Sequence, residues 1–273
     1  MAADRSATES LPRSSSGERP MISKRLLSFF GNYSDGFLRR HFHSLRLLKN
    51  GSPATPDALP LVVYLNHASW WDPLVCLLIA RRLFRGRDSY APIESRALQR
   101  YRFLQRLGFF GVATETVRGA VDFLHTARSI LARNQTALWL TPQGKFVDPR
   151  ARPLRFQRGL SHLTTQVERA AFVPLAIEYT FWEERLPEIL IGFGAPLIFD
   201  ADRRLSIPEV TQLFECALTS VQDDLAAASL RRKPDEWEML EHGGGGTSRV
   251  YDLWRRTRAK LRGETFRVSH SDL

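Results

Sequence analysis

The sequence predicts an α/β fold, a mixed, largely parallel sheet flanked by helices, with an N-terminal pair of amphipathic helices. Short apolar runs bounded by turn residues are typical of buried strands. They lie at residues 61–65, 108–112, 137–140, 171–177 and 189–193. Between and after these runs, apolar residues at helical spacing predict helices at about 118–133, at 156–170 and after Ser206. Strands that alternate with helices favour a largely parallel sheet.

Residues 21–49 account for the predicted helical pair. Apolar and aromatic side chains alternate there with Lys and Arg, and the stretch from Gly31 to Gly36 predicts a break between two helices. Basic and aromatic amphipathic helices suit a lipid interface. Alternatively, their apolar faces simply cap the core.

Composition divides the chain into three parts. Residues 1–20 are rich in Ser, Arg and Pro, so we expect a disordered leader. Residues 21–230 carry all the strand and helix patterns and predict one domain. Residues 231–273 become polar and basic again, and we expect a partly disordered tail.

The net charge of +10 indicates a surface that attracts anions, such as phospholipid headgroups, nucleic acid or an acidic cosubstrate. Nucleic acid is not an expected partner, because no helix-turn-helix, zinc-finger or RNA-recognition pattern is present. The arginine-rich segment 81–106 also carries interspersed apolar residues. It suits anionic lipid, the phosphates of CoA or an acidic carrier protein, or it is a solvated face.

The sharpest local pattern is the run from Asn66 to Asp72, which follows a predicted strand and precedes a predicted helix. Ligand sites in α/β sheets collect at the carboxyl ends of strands. His67 placed there can take a proton from an alcohol, and Asp72 can orient its ring. Alternatively, Ser69 and Asp72 have capping-box spacing, and Asp72 serves only the start of the helix.

Residues 66–72 match the pattern Asn-His-x-Ser-x-x-Asp, and this resembles the first motif of the glycerolipid acyltransferase superfamily, which includes lysophosphatidic acid acyltransferases. Residues 142–146 resemble its Pro-Glu-Gly-Thr-Arg motif, 156–159 its Phe-x-x-Gly element, and 173–176 its Val-Pro motif. The order and spacing agree over about residues 60–180.

The resemblance implies an O-acyltransferase in which His67 is the general base and Asp72 orients it. The base deprotonates the hydroxyl of a lipid acceptor, such as lysophosphatidic acid or a related lysolipid, which attacks the thioester of acyl-CoA or acyl carrier protein. It implies neither a metal nor a cofactor. The expected substrate-binding residues are Asn66, Ser69, Gln143, Gly144, Lys145 and Arg152.

Three positions depart from the family's pattern. Gln143 replaces the family's Glu, and Lys145 and Phe146 replace its Thr and Arg. That Arg suits an acceptor phosphate, and the basic loop 145–155 offers substitutes such as Arg152. Alternatively, the acceptor has no phosphate, as in a glycolipid or a hydroxylated isoprenoid, or the protein binds lipid without catalysis.

The sequence also predicts where the protein acts. It contains no apolar run of the roughly 18 residues that a membrane-spanning helix requires. We therefore expect a peripheral protein on the cytoplasmic side of the cell membrane, with membrane lipids as partners. Trp70 and Trp71 either wall an acyl or acceptor channel or pack the following helix against the sheet.

Overall fold

A computed structural model describes residues 18–49, 53, 58–114, 116–200 and 205–244. These residues build a nine-stranded sheet with helices on both faces. In chain order the elements are α1 Lys24–His41, β1 Ser44–Leu48, β2 Leu61–Leu65, α2 Asp72–Leu83, β3 Asp88–Glu94, α3 Ser95–Arg100, a 3₁₀ turn Arg102–Leu107, β4 Phe109–Val112, α4 Val117–Leu131, β5 Thr136–Leu140, α5 Gly159–Leu163, β6 Arg169–Thr180, β7 Glu188–Phe193, β8 Leu197–Asp200, α6 Ile207–Arg231, a 3₁₀ turn Pro234–Glu236 and β9 Trp237–His242.

The strands lie in the order β4-β3-β5-β2-β6-β7-β1-β9, and β8 pairs with the first residues of β6. Five pairings are parallel, and the three antiparallel ones join β6 to β7, β6 to β8 and β1 to β9. The predicted mixed, largely parallel α/β sheet is therefore confirmed. β2 lies between β5 and β6, so its carboxyl end is central in the sheet.

The sheet separates two apolar cores. One contains buried residues of α1 and α2, and the other contains buried residues of α4, α5 and α6. Along β2, Leu61 and Val63 face the first core, whereas Val62 and Tyr64 face the second. Both faces of the central strands are covered, which explains why their sequences are continuous apolar runs.

The prediction of an N-terminal helical pair is wrong, because residues 24–41 form a single helix and residues 44–48 form a strand. Gly31 does not break α1 but allows close packing against α2. A Cβ atom at Gly31 would lie 2.5 Å from Nη1 of Arg81. The same guanidinium donates to Asp35 at 2.8 Å and to Asn32 at 2.6 Å, so it joins the two helices across this contact.

The helix predicted at 156–170 is much shorter, because α5 covers only Gly159–Leu163 and β6 already begins at Arg169. The backbone N–H of Phe156 donates to the carboxylate of Glu215 in α6 at 2.6 Å instead of entering a helix. The predicted inward face is nevertheless correct, since Leu160, Leu163 and Val167 are all buried.

The sheet continues past residue 230, into the segment for which we expected a polar tail. β9 pairs antiparallel with β1, and Glu241 accepts from Arg39 of α1 at 2.6 Å. Residues 1–17 and 245–273 lie outside the described residues. The disordered leader and most of the expected tail therefore stay predictions.

Candidate active site

His67 and Asp72 meet at the carboxyl end of β2. His67 lies two residues beyond the last residue of that strand, and Asp72 is the first residue of α2. The ring Nδ1 of His67 lies 2.7 Å from Oδ2 of Asp72. The His67 side chain is 20% exposed, whereas that of Asp72 is only 2% exposed. In a neutral ring this bond places the proton on Nδ1, so Nε2 carries the lone pair that can accept a proton.

The Asp72 carboxylate accepts from two further donors. The backbone N–H of Ser69 donates to Oδ2 at 3.1 Å, and the hydroxyl of Tyr179 donates to Oδ1 at 2.6 Å. The positive end of the α2 dipole also lies at this carboxylate. Asp72 thus contacts both the turn before the helix and the His67 ring, and the two roles weighed for it from sequence are compatible in one geometry.

Tyr179 is the residue of this cluster that the sequence did not reveal. It belongs to β6, 107 positions after Asp72, and no local pattern links the two. Burial and the neighbouring Asp72 carboxylate raise the pKa of the Tyr179 hydroxyl well above its ordinary value. The hydroxyl therefore remains a hydrogen-bond donor throughout the neutral range.

Asn66 faces the sheet. Its side chain is buried, its Nδ2 donates to the carbonyl of Ile177 at 2.9 Å, and its Oδ1 accepts from the N–H of Ile177 at 2.9 Å. The amide thus continues the pairing of β2 with β6 by one residue. Both polar groups of Asn66 are engaged by the main chain, one residue before the His67 backbone.

Gln143 holds the backbone of His67 rather than reaching outward. It is buried, its Oε1 accepts from the N–H of His67 at 3.2 Å, and its Nε2 donates to the carbonyl of Leu154 at 3.3 Å. The carbonyl of His67 in turn accepts from the N–H of Val147 at 2.8 Å. The loop after β5 therefore bonds to both the N–H and the carbonyl of His67. The amide of Gln143 also supplies a donor, which a Glu carboxylate at this position would lack.

Gly144 and Lys145 lie at the exposed turn of this loop. Gly144 has φ +67°, and a Cβ atom there would lie 2.3 Å from Nε2 of Gln157, so the turn favours glycine. The N–H of Gly144 donates to the carbonyl of Thr141 at 3.0 Å. Lys145 is exposed. The ring of Phe146, 59% exposed, lies 4.3 Å from the ring of His67, centre to centre.

Arg152 is directed away from this group. Its Nη2 donates to Asp223 of α6 at 2.7 Å, and its Nη1 donates to the carbonyl of Pro149 at 2.8 Å. The guanidinium of Arg150 makes two bonds to Asp148, at 2.9 and 2.7 Å, and its backbone N–H makes a third at 2.9 Å; these bonds lower the pKa of Asp148 well below its usual range. Of the expected site residues, the structure brings together Asn66, His67, Ser69, Asp72 and Gln143.

The two tryptophans have different surroundings. Trp71 is partly buried against the core on the α1 and α2 face, with its ring 4.9 Å from that of Phe42 and 5.3 Å from that of Phe37. Trp70 stacks on Trp71 at 4.3 Å but is 57% exposed. Trp71 therefore packs the helix, and Trp70 presents its ring at the surface beside the site.

Comparison with protein families decides the class. Residues 46–178 match the model of the Acyltransferase family. Residues 46–178 thus form a domain of the acyltransferase family. The matched residues of the acyltransferase domain include His67, Asp72 and Gln143, and they end one residue before Tyr179. Among curated proteins, none matches the chain.

The match supports an enzyme that transfers acyl groups. Within the residues that the structure describes, no three His, Cys, Asp or Glu side chains gather as potential metal ligands. The same described residues include no helix that is both long and apolar enough to cross a bilayer.

Proposed function

We propose that the acyltransferase domain moves a fatty acyl group from the thioester of acyl-CoA or acyl carrier protein to the hydroxyl of a lipid acceptor, such as lysophosphatidic acid or a related lysolipid. The observation that carries this proposal is the 2.7 Å contact of His67 Nδ1 with a buried Asp72 carboxylate at the carboxyl end of β2. It leaves Nε2 as the basic nitrogen on a partly exposed ring.

The proposed reaction needs one proton relay. Nε2 of His67 takes the proton of the acceptor hydroxyl as the oxygen attacks the thioester carbonyl carbon. Asp72 stabilises the charged ring. When the C–S bond breaks, the thiolate leaves and takes the proton back from Nε2, so the enzyme returns to its starting state. A thioester is already activated, so a base and correct positioning account for much of the rate.

The test is thiol release by the purified protein. Long-chain acyl-CoA and acyl carrier protein serve as donors, and the acceptors include lysophosphatidic acid, other lysolipids, glycolipids and hydroxylated isoprenoids. We expect release that depends on an acceptor and forms one acylated product per thiol. No release with any pair, from folded protein that still binds vesicles, would instead support a lipid-binding homologue without catalysis.

One observation favours an acceptor without phosphate near the reacting hydroxyl. The apolar ring of Phe146 lies against His67, at the position where the family motif has Arg. Two arginines of the same loop are engaged elsewhere, Arg150 by Asp148 and Arg152 by Asp223. A phosphate beside Phe146 would thus lack the Arg that the family motif offers, and neither Arg150 nor Arg152 replaces it.

We expect Phe146→Arg to raise the use of phosphate-bearing acceptors relative to neutral ones by about tenfold, because one charge-assisted contact contributes about 1.5 kcal/mol. The measurement is the ratio of kcat/KM for lysophosphatidic acid to that for a glycolipid of equal chain length. Phe146→Leu is the matched control and should leave the ratio unchanged. A ratio that is the same in all three proteins would contradict this assignment of Phe146.

A surface beside the site combines aromatic rings with cations, and we propose that it docks on an anionic lipid bilayer. We call it the aromatic–basic surface. Its members are the exposed side chains Lys24, Arg25, Phe29, Tyr33, Arg40, Trp70, Arg100, Tyr101, Arg102 and Phe103. Rings anchor in the headgroup region, and cations attract anionic lipids.

Ring contacts join this surface into one band that reaches the site. Phe103 contacts Phe30 at 6.2 Å, and the contacts continue through Tyr33 and Phe37 to Trp70, which follows His67 by three residues. A lipid acceptor held at this band would therefore lie near the base. Anionic lipids concentrate on the cytoplasmic leaflet, so we place the protein peripherally on that side.

We expect Phe29→Ala combined with Phe103→Ala to weaken binding to vesicles that contain phosphatidylserine or phosphatidylglycerol by about tenfold, because two rings no longer insert. Cosedimentation at two salt concentrations measures the change. Leu230→Ala is the control, since this side chain is 85% exposed on α6, on the opposite face of the sheet. Equal weakening by the control would argue against this docking surface.

A further inference from the structure

We propose that Tyr179 is a positioning residue of the catalytic pair. Its hydroxyl donates to Oδ1 of Asp72 at 2.6 Å and thereby leaves Oδ2 for the His67 ring. This inference rests on the proposed function of His67 as a base. Tyr179 would be a third residue beside His67 and Asp72. It comes from β6 rather than from the segment that carries the family's His and Asp.

The two oxygens of Asp72 have different partners, and this difference fixes the plane of the carboxylate. Oδ2 accepts from the Ser69 N–H and from His67, whereas Oδ1 accepts from Tyr179. Rotation of the carboxylate about its last side-chain bond is soft. The side chain is 2% exposed, so water has little access to replace the Tyr179 hydroxyl at Oδ1.

Tyr179 is itself held at a defined place relative to His67. It lies two residues after Ile177, whose N–H and C=O both bond to the side chain of Asn66. Its ring also packs 5.7 Å from that of Phe42. β2 and β6 are therefore in fixed register at the point where one supplies the base and the other supplies the donor.

The charge environment keeps the donor protonated. The titratable groups that interact with the Tyr179 hydroxyl are Asp72 and Cys76, both from α2, and His67 lies on the far oxygen of the same carboxylate. Burial raises the pKa of the Cys76 thiol well above its ordinary value, as it does for Tyr179. Both groups are thus neutral over the pH range of an activity assay, and Asp72 is the charge that they face.

The test compares Tyr179→Phe with Tyr64→Phe. Tyr64 is a matched control, because its hydroxyl is buried in the same sheet and has no hydrogen-bond partner among the described residues. We expect Tyr179→Phe to lower kcat about tenfold with little change in KM. We also expect the acid limb of the rate profile to move up by about half a pH unit, because a carboxylate that has lost one of its three donors favours the charged ring more strongly.

A second measurement does not depend on turnover. The pH at which the NMR signals of the His67 ring change should move upward in Tyr179→Phe and stay at the wild-type value in Tyr64→Phe. Wild-type values of both the rate profile and the ring titration in Tyr179→Phe would overturn the proposal. A third outcome is that the wild-type protein shows no turnover with any donor and acceptor while the His67 titration still moves in Tyr179→Phe. That result would reject acyl transfer but would leave the coupling of Tyr179 to His67 intact.

Discussion

The His67→Ala variant is expected to transfer acyl groups about 10²–10⁴ times more slowly than the wild-type acyltransferase, which is the range a general base contributes. The substitution removes Nε2, which takes the acceptor's proton. It leaves the backbone of His67 in place, so Gln143 and Val147 keep their bonds to it. The buried Asp72 carboxylate keeps its donors from Ser69 and Tyr179, so the variant should still fold. Acceptor-dependent thiol release, measured at saturating donor, gives the rate.

A control substitution distinguishes the loss of the base from the loss of any histidine. His125 lies exposed on α4, on the opposite face of the sheet, and His125→Ala should keep the wild-type rate. Vesicle binding should be equal in all three proteins. If His67→Ala retained more than about a tenth of the wild-type rate, the proposed role of His67 would be wrong.

Gln143→Glu restores the residue of the family motif, yet we expect it to destabilise this protein by about 2–3 kcal/mol. Gln143 is buried, and its Nε2 donates to the carbonyl of Leu154. A carboxylate at that position offers an acceptor to an acceptor, and it is desolvated without a cation. The carboxylate can still accept from the His67 N–H, but it is no longer anchored to Leu154, so kcat should also fall. Urea unfolding measures the difference in free energy.

The pH dependence distinguishes this cause from a packing defect. A Glu that is buried without a cation has a raised pKa when folded, so the unfolded state binds fewer protons near neutral pH. The stability deficit of Gln143→Glu should therefore shrink as pH falls and the side chain is protonated. Gln99→Glu, on the exposed face of α3, is the control and should change stability by less than about 0.5 kcal/mol. A deficit independent of pH would contradict the proposed desolvation.

Most of the strands that sequence alone predicted are covered on both faces, and the exception is β4 at the edge of the sheet. β2, β5 and β7 are buried at every position, and each contains an apolar run, at residues 61–65, 137–140 and 189–193. β1, β3, β8 and β9 were missed. In β1 and β9 charged residues interrupt the pattern, and Arg46 of β1 is compatible with the interior only because it lies 3.2 Å from the buried Glu188 of β7. A pairing over 142 positions leaves no local trace.

The site residues likewise differ in whether their contacts are local or distant in sequence. His67 and Asp72 are five residues apart, and a strand end followed by a helix start is enough to suggest their contact. What Asn66 and Gln143 do depends on their distant partners Ile177 and Leu154. Their presence in motifs suggested substrate contact, but the structure assigns their polar groups to the main chain. Tyr179 has no motif at all and emerges only from the register of β6.

The position of β1 has a consequence for how the protein can be made and divided. β1 pairs on one side with β7 and on the other with β9. During synthesis, residues near 44 therefore cannot form their strand pairs until residues near 190 and 240 have been made. Contacts of such long sequence separation slow folding. A fragment cut at the limits of the family match, 46–178, would lack β7 and expose the β6 edge to intermolecular pairing. The smallest piece to express, or to split into reporter halves, therefore extends to at least residue 242.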